Sequence, residues 1–392
     1  MKNRQEIISK IAYYSFYLGV ISEVLIVLID KSSFTNPIEG RLFQITFLLF
    51  FIKLCLTKYS KKEYFLIALF LGLGAASYFV TERNEIVRFA TFVAACKGID
   101  MTQCMKRVFY LTLAGCGAII LLSVTGICGA VSLTQDYGRG MVETRYTLGM
   151  GHPNALQCMI WALTVLGLYL YGEKLKWYEY VLLLATNVGF FLLTDSKTSL
   201  IGALFAIVYA GLHRCNVIHK KQMIGTFGIT ATIGSIAISV LIAGNAYHVY
   251  NYDWSIDRSL IPTLMKKIDG PLTGRIRSLT SSIRWEGTTK TWSLFSAPEN
   301  NYYFDMGWIR LFYWYGVIPA LIVIGVLIIW MLYSYQKKQY MSLFLIVSFA
   351  IYTVFEAHAV SVYLARNYLF FAFGAVWPQL LQRSSWKKEA DV

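Results

Sequence analysis

The chain is 392 residues long; 56% are hydrophobic and only 15% are charged. A soluble domain carries roughly 25% charged and 45–50% apolar residues, so this balance, with a mean hydropathy of +0.52, excludes an ordinary soluble fold. The formal charge of +14 would point to nucleic acid in a soluble protein, but in a membrane protein cations first of all set topology, and no nucleic-acid partner is expected.

Met1 to Lys10 is basic and polar, and no small-residue cleavage site follows the first apolar run, which therefore reads as a retained span and not as a signal peptide. Windows of ~19 residues then predict twelve transmembrane helices, near 12–30, 41–57, 63–80, 84–98, 108–128, 154–171, 177–194, 198–213, 222–243, 305–331, 340–357 and 362–382. Runs near that length suit the ~30 Å hydrocarbon core of a bilayer. With the N-terminus inside, every inside segment carries at least two cations: Lys2, Arg4 and Lys10; Lys58, Lys61 and Lys62; Lys97, Lys106 and Arg107; Lys174 and Lys176; Arg214, Lys220 and Lys221; Lys337 and Lys338; Arg383, Lys387 and Lys388. The short outside loops carry far fewer. This alternation is what the positive-inside bias produces, and it predicts that both termini are cytoplasmic. The expected fold class is an all-α integral membrane protein: one polytopic domain over 1–392, with a large extracytoplasmic loop, 244–304, between spans nine and ten.

That loop holds Arg258, Lys266, Lys267, Arg275, Arg277, Arg284 and Lys290 against Asp253, Asp257, Asp269, Glu286 and Glu299, a modest excess that a solvated surface also explains. The outside loop from Ala130 to Pro153 adds Arg139 and Arg145. The seven cysteines (Cys55, Cys96, Cys104, Cys116, Cys128, Cys158, Cys215) lie in or beside apolar runs with no CxxC pair, which gives neither a disulfide framework nor a zinc site.

Ionised side chains within a span are costly and usually face a polar cavity or a partner. Arg88, Lys197, Arg310, Glu356, His358 and Arg366 all fall within a few residues of the outside face, whereas the inside halves are nearly free of charge except for Lys53. Snorkelling to the interface accounts for Arg88 alone; the six together predict a cationic cavity opening outward. Outside aromatics such as Tyr247, Tyr250, Tyr252, Trp254, Trp285, Trp292, Tyr302 and Tyr303 fit an interface belt and are also compatible with sugar stacking.

Four short stretches sit at outside edges of spans: Gly149-Met150-Gly151-His152-Pro153-Asn154, Thr194-Asp195-Ser196-Lys197-Thr198-Ser199, Leu272-Thr273-Gly274-Arg275, and Asp305-Met306-Gly307-Trp308-Ile309-Arg310 ending at Gly316. His152-Pro153-Asn154 reads as a helix start, because proline fits the first turn and the neighbouring amides can face an anion; a simple capped helix with an interfacial histidine explains it equally. Ser196-Lys197-Thr198 reads as a tight turn between spans that offers a cation and hydroxyls at a helix N-terminus.

In this order and spacing the stretches resemble the Wzy-type repeat-unit polymerases of bacterial O-antigen and capsule assembly, in the O-antigen polymerase/ligase superfamily. The resemblance covers Arg145 to Asn367, with Lys197 in place of the usual arginine, Met306 of asparagine and Trp308 of tyrosine. It implies a GT-C-like helical bundle in the bacterial cytoplasmic membrane: a membrane glycosyltransferase that joins undecaprenyl-diphosphate-linked repeat units into a capsule, exopolysaccharide or O-antigen. A cationic clamp must stabilise the leaving diphosphate and a base must take the acceptor proton. The clamp set is Arg275, Arg145, Lys197 and Arg284, extended by Arg277 and Arg310. The base is open among Asp305, His152, Glu356 and His358, with Asp305 matching the family's pattern. Asn154, Ser196, Arg366 and Asn367 complete the cavity. No DxD-like carboxylate cluster occurs outside, so no metal and no cofactor is expected. The implied partners are the lipid-linked oligosaccharide, the bilayer, a flippase and a chain-length regulator.

Two other readings share these features. A lipid-linked oligosaccharide flippase also has about twelve spans, but transporters tend to show two similar halves with charges near the midplane. An O-antigen-ligase-like transferase differs in its acceptor; such ligases carry a histidine where this chain has Asn300 and Asn301.

Overall fold

The computed structural model describes residues 2–137, 140–214, 220–251, 260–270, 272, 274–281 and 285–382. Arg284 of the expected clamp lies outside the described residues, as do Arg139, Cys215, Tyr252, Asp253, Trp254, Asp257, Arg258, Thr273, Arg383, Lys387 and Lys388.

The fold is helical. In chain order it comprises α1 (Lys2–Lys31), α2 (Glu39–Cys55), α3 (Lys61–Thr81), α4 (Glu85–Ala95), α5 (Met101–Val124), a hairpin of β1 (Ser132–Asp136) and β2 (Val142–Tyr146), α6 (Pro153–Tyr171), α7 (Trp177–Thr194), α8 (Lys197–Arg214) and α9 (Lys220–Asn251). Then follow α10 (Leu260–Asp269), α11 (Arg275–Ser278), α12 (Gly307–Tyr315), α13 (Val317–Gln336), α14 (Tyr340–Thr353) and α15 (Tyr368–Leu380). Among the described residues seven helices are long and apolar enough to cross a membrane: α1, α3, α5, α6, α7, α9 and α13. Their hydropathy is not amphipathic in the manner of a soluble bundle; apolar side chains such as Phe79, Leu192 and Leu241 point outward, as lipid-facing surfaces require.

Burial separates the helices into a centre and a rim. In α6 the most apolar window is 67% buried and in α7 only 11%, so α6 is interior and α7 faces outward. Around α6 pack α7, α8 and α14, while α1, α2, α4, α5 and α15 form the adjoining group. Trp161 of α6 stacks on Tyr352 of α14 with ring centroids 3.8 Å apart at the heart of this core.

Several predicted spans differ from the helices found. The predicted span 305–331 is two helices, broken at Gly316. There φ is +93°, and a Cβ would lie 2.6–2.7 Å from the backbone of Leu294, Phe295 and Ser296. A side chain cannot be accommodated, and the chain turns. Predicted spans 340–357 and 362–382 shorten to α14 and α15, and the chain between them is largely irregular, with a short 3-10 turn at Leu364–Arg366. Backbone of this kind is tolerated at membrane depth only where protein or a cavity covers it, and most of 354–367 is buried or half-buried. The predicted span 84–98 contains only the 11-residue α4, about 16 Å long at ~1.5 Å per residue.

The predicted snorkelling of Arg88 is corrected. Arg88 is buried, its guanidinium 3.2 Å from the Glu23 carboxylate of α1, and Thr46 of α2 donates to the same oxygen at 2.6 Å. A charge answered by a buried partner has no need to reach the interface.

Candidate functional site

At the end of the bundle where α1 and α7 finish and α6 and α8 begin, Gly149 and Gly151 let the start of α6 press on its neighbours. A Cβ on Gly149 would meet the Ile119 carbonyl oxygen of α5 at 2.9 Å, and one on Gly151 would meet the Ser32 carbonyl oxygen at 2.9 Å. Backbone bonds from Ser33 to Gly149 (3.0 Å) and from Gly151 to Lys31 (2.9 Å) lock that approach. His152 then caps α6 as its sequence implied: its Nδ1 accepts from the Asn154 amide at 3.1 Å, and Pro153 occupies the first turn.

A cavity of about 270 Å³ opens beside this cap, walled by Tyr137, Arg145, His152, Lys197, Thr198 and Arg275, with Gln135, Asp136, Asn154, Asp195 and Ser196 completing it. Residues from three of the four sequence stretches meet in this wall. Arg145 comes from β2, His152 from the α6 cap, Lys197 from the first position of α8, and Arg275 from α11.

Each arginine is buried and held by carboxylates. Arg145 donates to Glu143 through Nε at 3.0 Å and Nη2 at 2.5 Å, lies 3.6 Å from Asp195, and has its guanidinium 4.2 Å from the Tyr137 ring centroid. Arg275 donates through Nη2 to Glu356, which also accepts from Thr198 at 3.3 Å, and the same Nη2 stands 3.5 Å from Asp305. Lys197 is exposed at the rim. The expectation of a plainly cationic basin is therefore corrected. Three cations, Arg145, Lys197 and Arg275, are interleaved with five carboxylates, Asp136, Glu143, Asp195, Asp305 and Glu356. Buried guanidinium groups require such compensation, and its effect is to fix both in orientation before any ligand arrives.

The His152 imidazole is held below its ordinary pKa, first by burial and then by neighbouring Arg145, with Asp305 opposing. The ring is thus neutral near pH 7, which keeps Nδ1 an acceptor.

Other predicted site residues fall elsewhere. His358 is fully buried against Trp161 and Phe349, and its Nε2–H donates to the Arg366 carbonyl oxygen at 2.8 Å. Asn367 donates to the Ala359 carbonyl oxygen at 2.8 Å and caps α15. With Arg366 these form a packed group behind the cavity, not part of its wall. Arg310 is buried and donates through Nε at 2.8 Å to the Phe304 carbonyl oxygen, which anchors the start of α12 and so the position of Asp305. Arg277 is exposed next to Arg275 and does not line the cavity.

Two parts of the site have no counterpart among the sequence expectations. The hairpin supplies Gln135, Asp136 and Tyr137; the alternation in Val142–Tyr146 after a glycine-containing turn is the signal that marks it, while Ser132–Asp136 shows none. Asp269 is the second. Its carboxylate accepts from the amides of Ile276 at 2.7 Å and Arg277 at 3.1 Å, and from the Tyr250 hydroxyl of α9. It thereby pins α11, and with it Arg275, to a long helix. Among the described residues no group of three or more His, Cys, Asp or Glu side chains is placed to hold a metal ion.

The fold and the position of the site define a helical membrane protein with a polar cavity at one end of its bundle. Comparison with protein-family models, with curated proteins and with solved structures finds no match.

Proposed function

We propose that the chain is a membrane glycosyltransferase that polymerises undecaprenyl-diphosphate-linked oligosaccharide repeat units at the outer face of a bacterial cytoplasmic membrane, with twelve spans and both termini inside. The observation that carries this reading is the convergence of Arg145 and His152 with Lys197 and Arg275, from three separate segments of the sequence, on one cavity at one end of the bundle. A lipid-linked diphosphate presents a headgroup at that depth while its tail stays in the bilayer.

In the reaction the acceptor hydroxyl oxygen attacks the anomeric carbon of the donor glycan. The bond from that carbon to the phosphate oxygen breaks, the diphosphate lipid leaves with the electron pair, and the hydroxyl proton passes to a carboxylate. Arg275 and Lys197, with Arg145 across the cavity, stabilise the leaving diphosphate. Asp305 serves as base, since its side chain is 38% exposed whereas that of Glu356 is 11% exposed and already engaged by Arg275 and Thr198. Glu356 orients the clamp.

The test is Arg275→Ala at normal protein level, with polymer length measured in the producing cell. Loss of long polymer, with single lipid-linked repeat units accumulating at the outer face, is expected. Full-length polymer would remove Arg275 from the mechanism, and accumulation of repeat units at the inner face would favour a flippase.

A further inference from the structure

Helix α10 has two unlike sides. Leu260, Leu264 and Ile268 recur at four-residue intervals, and with Ile261 they form one stripe roughly 100° wide at 3.6 residues per turn. All four are exposed, Leu260 at 81% and Leu264 at 52%. Next to the stripe, about 40–80° beyond Ile261 at ~100° per residue, Met265 and Asp269 are buried on the side that packs against α9. Lys267 borders the stripe and Lys266 lies further round; both are exposed.

The depth of this helix follows from α9. At 32 residues α9 is about 48 Å long, against ~30 Å of hydrocarbon and ~40–45 Å with headgroups. Its last turn therefore emerges at headgroup level, and there the Tyr250 hydroxyl donates to Asp269, the last residue of α10. The same α9 exposes Ile233, Ile238 and Leu241, an apolar surface lower on the helix against which α10 packs.

We propose that α10 is an interfacial helix whose Leu260–Leu264–Ile268 stripe is seated in the bilayer leaflet at the cavity end, with Lys267 at the border of the stripe reaching lipid phosphates. A lysine bordering an apolar stripe matches an anionic lipid surface, and the bilayer that α9 crosses is the partner nearest to the stripe. Because Asp269 at the end of α10 holds the backbone of α11, the leaflet sets the height of Arg275 over the cavity. This inference rests on the helices being in a bilayer and goes beyond the polymerase reading.

The test is depth measurement on the full chain in vesicles of phosphatidylcholine and phosphatidylglycerol. A solvatochromic fluorescent amino acid replaces Leu264 in one variant, Ile261 in a second and Lys266 in a third. The emission at 264 is expected to be blue-shifted, quenched by lipids brominated on their acyl chains and resistant to aqueous iodide, with 266 open to iodide; the 261 variant reports the same stripe should the 264 variant not fold. Quenching of 264 and 261 by iodide as readily as 266 would overturn the proposal, and so would shielding from both quenchers, which marks a covering protein or a second copy. None of these readouts depends on polymer synthesis.

Discussion

A buried guanidinium is stable only while its charge is answered, and Arg275 is answered by Glu356 and Asp305 together. Removing the buried partner leaves the arginine partly uncompensated, so Glu356→Ala is expected to destabilise the fold by about 3–5 kcal/mol, read from denaturant or thermal unfolding in detergent; Glu356→Gln, which keeps an acceptor, loses less. Asp305 is the contrasting case because it is more exposed. Asp305→Asn is expected to cost about 0–1 kcal/mol, the range of a solvent-exposed ion pair, while on the proposed reading abolishing polymer, and a variant that still makes long polymer would exclude Asp305 as the base. For His152 the sign follows from its depressed pKa. The unfolded chain protonates this ring near its ordinary ~6.5 while the folded protein resists, so stability present above that value is lost as pH falls below it. His152→Asn supplies a side-chain oxygen as N-cap acceptor in place of Nδ1 and removes the titration; between about pH 7.5 and about pH 5.5 its unfolding midpoint should fall less than that of the parent.

At the scale of elements the site depends on how helix ends are fixed. The α12–α13 break needs Gly316, whose φ of +93° and crowded surroundings leave no place for a Cβ. Gly316→Ala is expected to cost more than the ~1 kcal/mol of a conformational preference alone, visible as a lowered unfolding midpoint. Asp269→Ala removes the acceptor for two α11 amides and is expected to cost about 1 kcal/mol and to open the 260–281 segment to limited proteolysis. The sequence made the long helices legible because a bilayer demands long apolar runs. It did not make the shortness of α14 legible: Tyr352-Thr353-Val354-Phe355 continues an apolar pattern, and what ends the helix is the packing that draws Glu356 down to Arg275 and Thr198. Nor could spacing foretell that Asp269 would cap α11, since that bond depends on where α9 ends.

For the whole molecule, charges were legible in kind and not in pairing. Cations near span ends were visible in the sequence, but the carboxylates that answer them come from distant segments: Glu23 for Arg88, Glu356 for Arg275. That is why a cationic basin was expected and a compensated cluster is found. Convergence of His152 and Lys197 was legible for a simpler reason, since both lie at span ends on one predicted face; Arg275 sits far from any span end in the 244–304 loop, and only its shared predicted side pointed to the same place.

The cavity's size bears on how a polymer could be made there. At about 270 Å³ it is near the lower end of the ~300–1,000 Å³ typical of pockets that enclose a drug-sized ligand, so a long glycan would not be enclosed by it. On the polymerase reading proposed above, a lengthening glycan would then lie outside the cavity after each addition, and every round would look the same to the protein whatever had already been joined. Product length on this view is counted by some other molecule, and altering the residues of the cavity wall should change how fast chains grow without giving them a new preferred size.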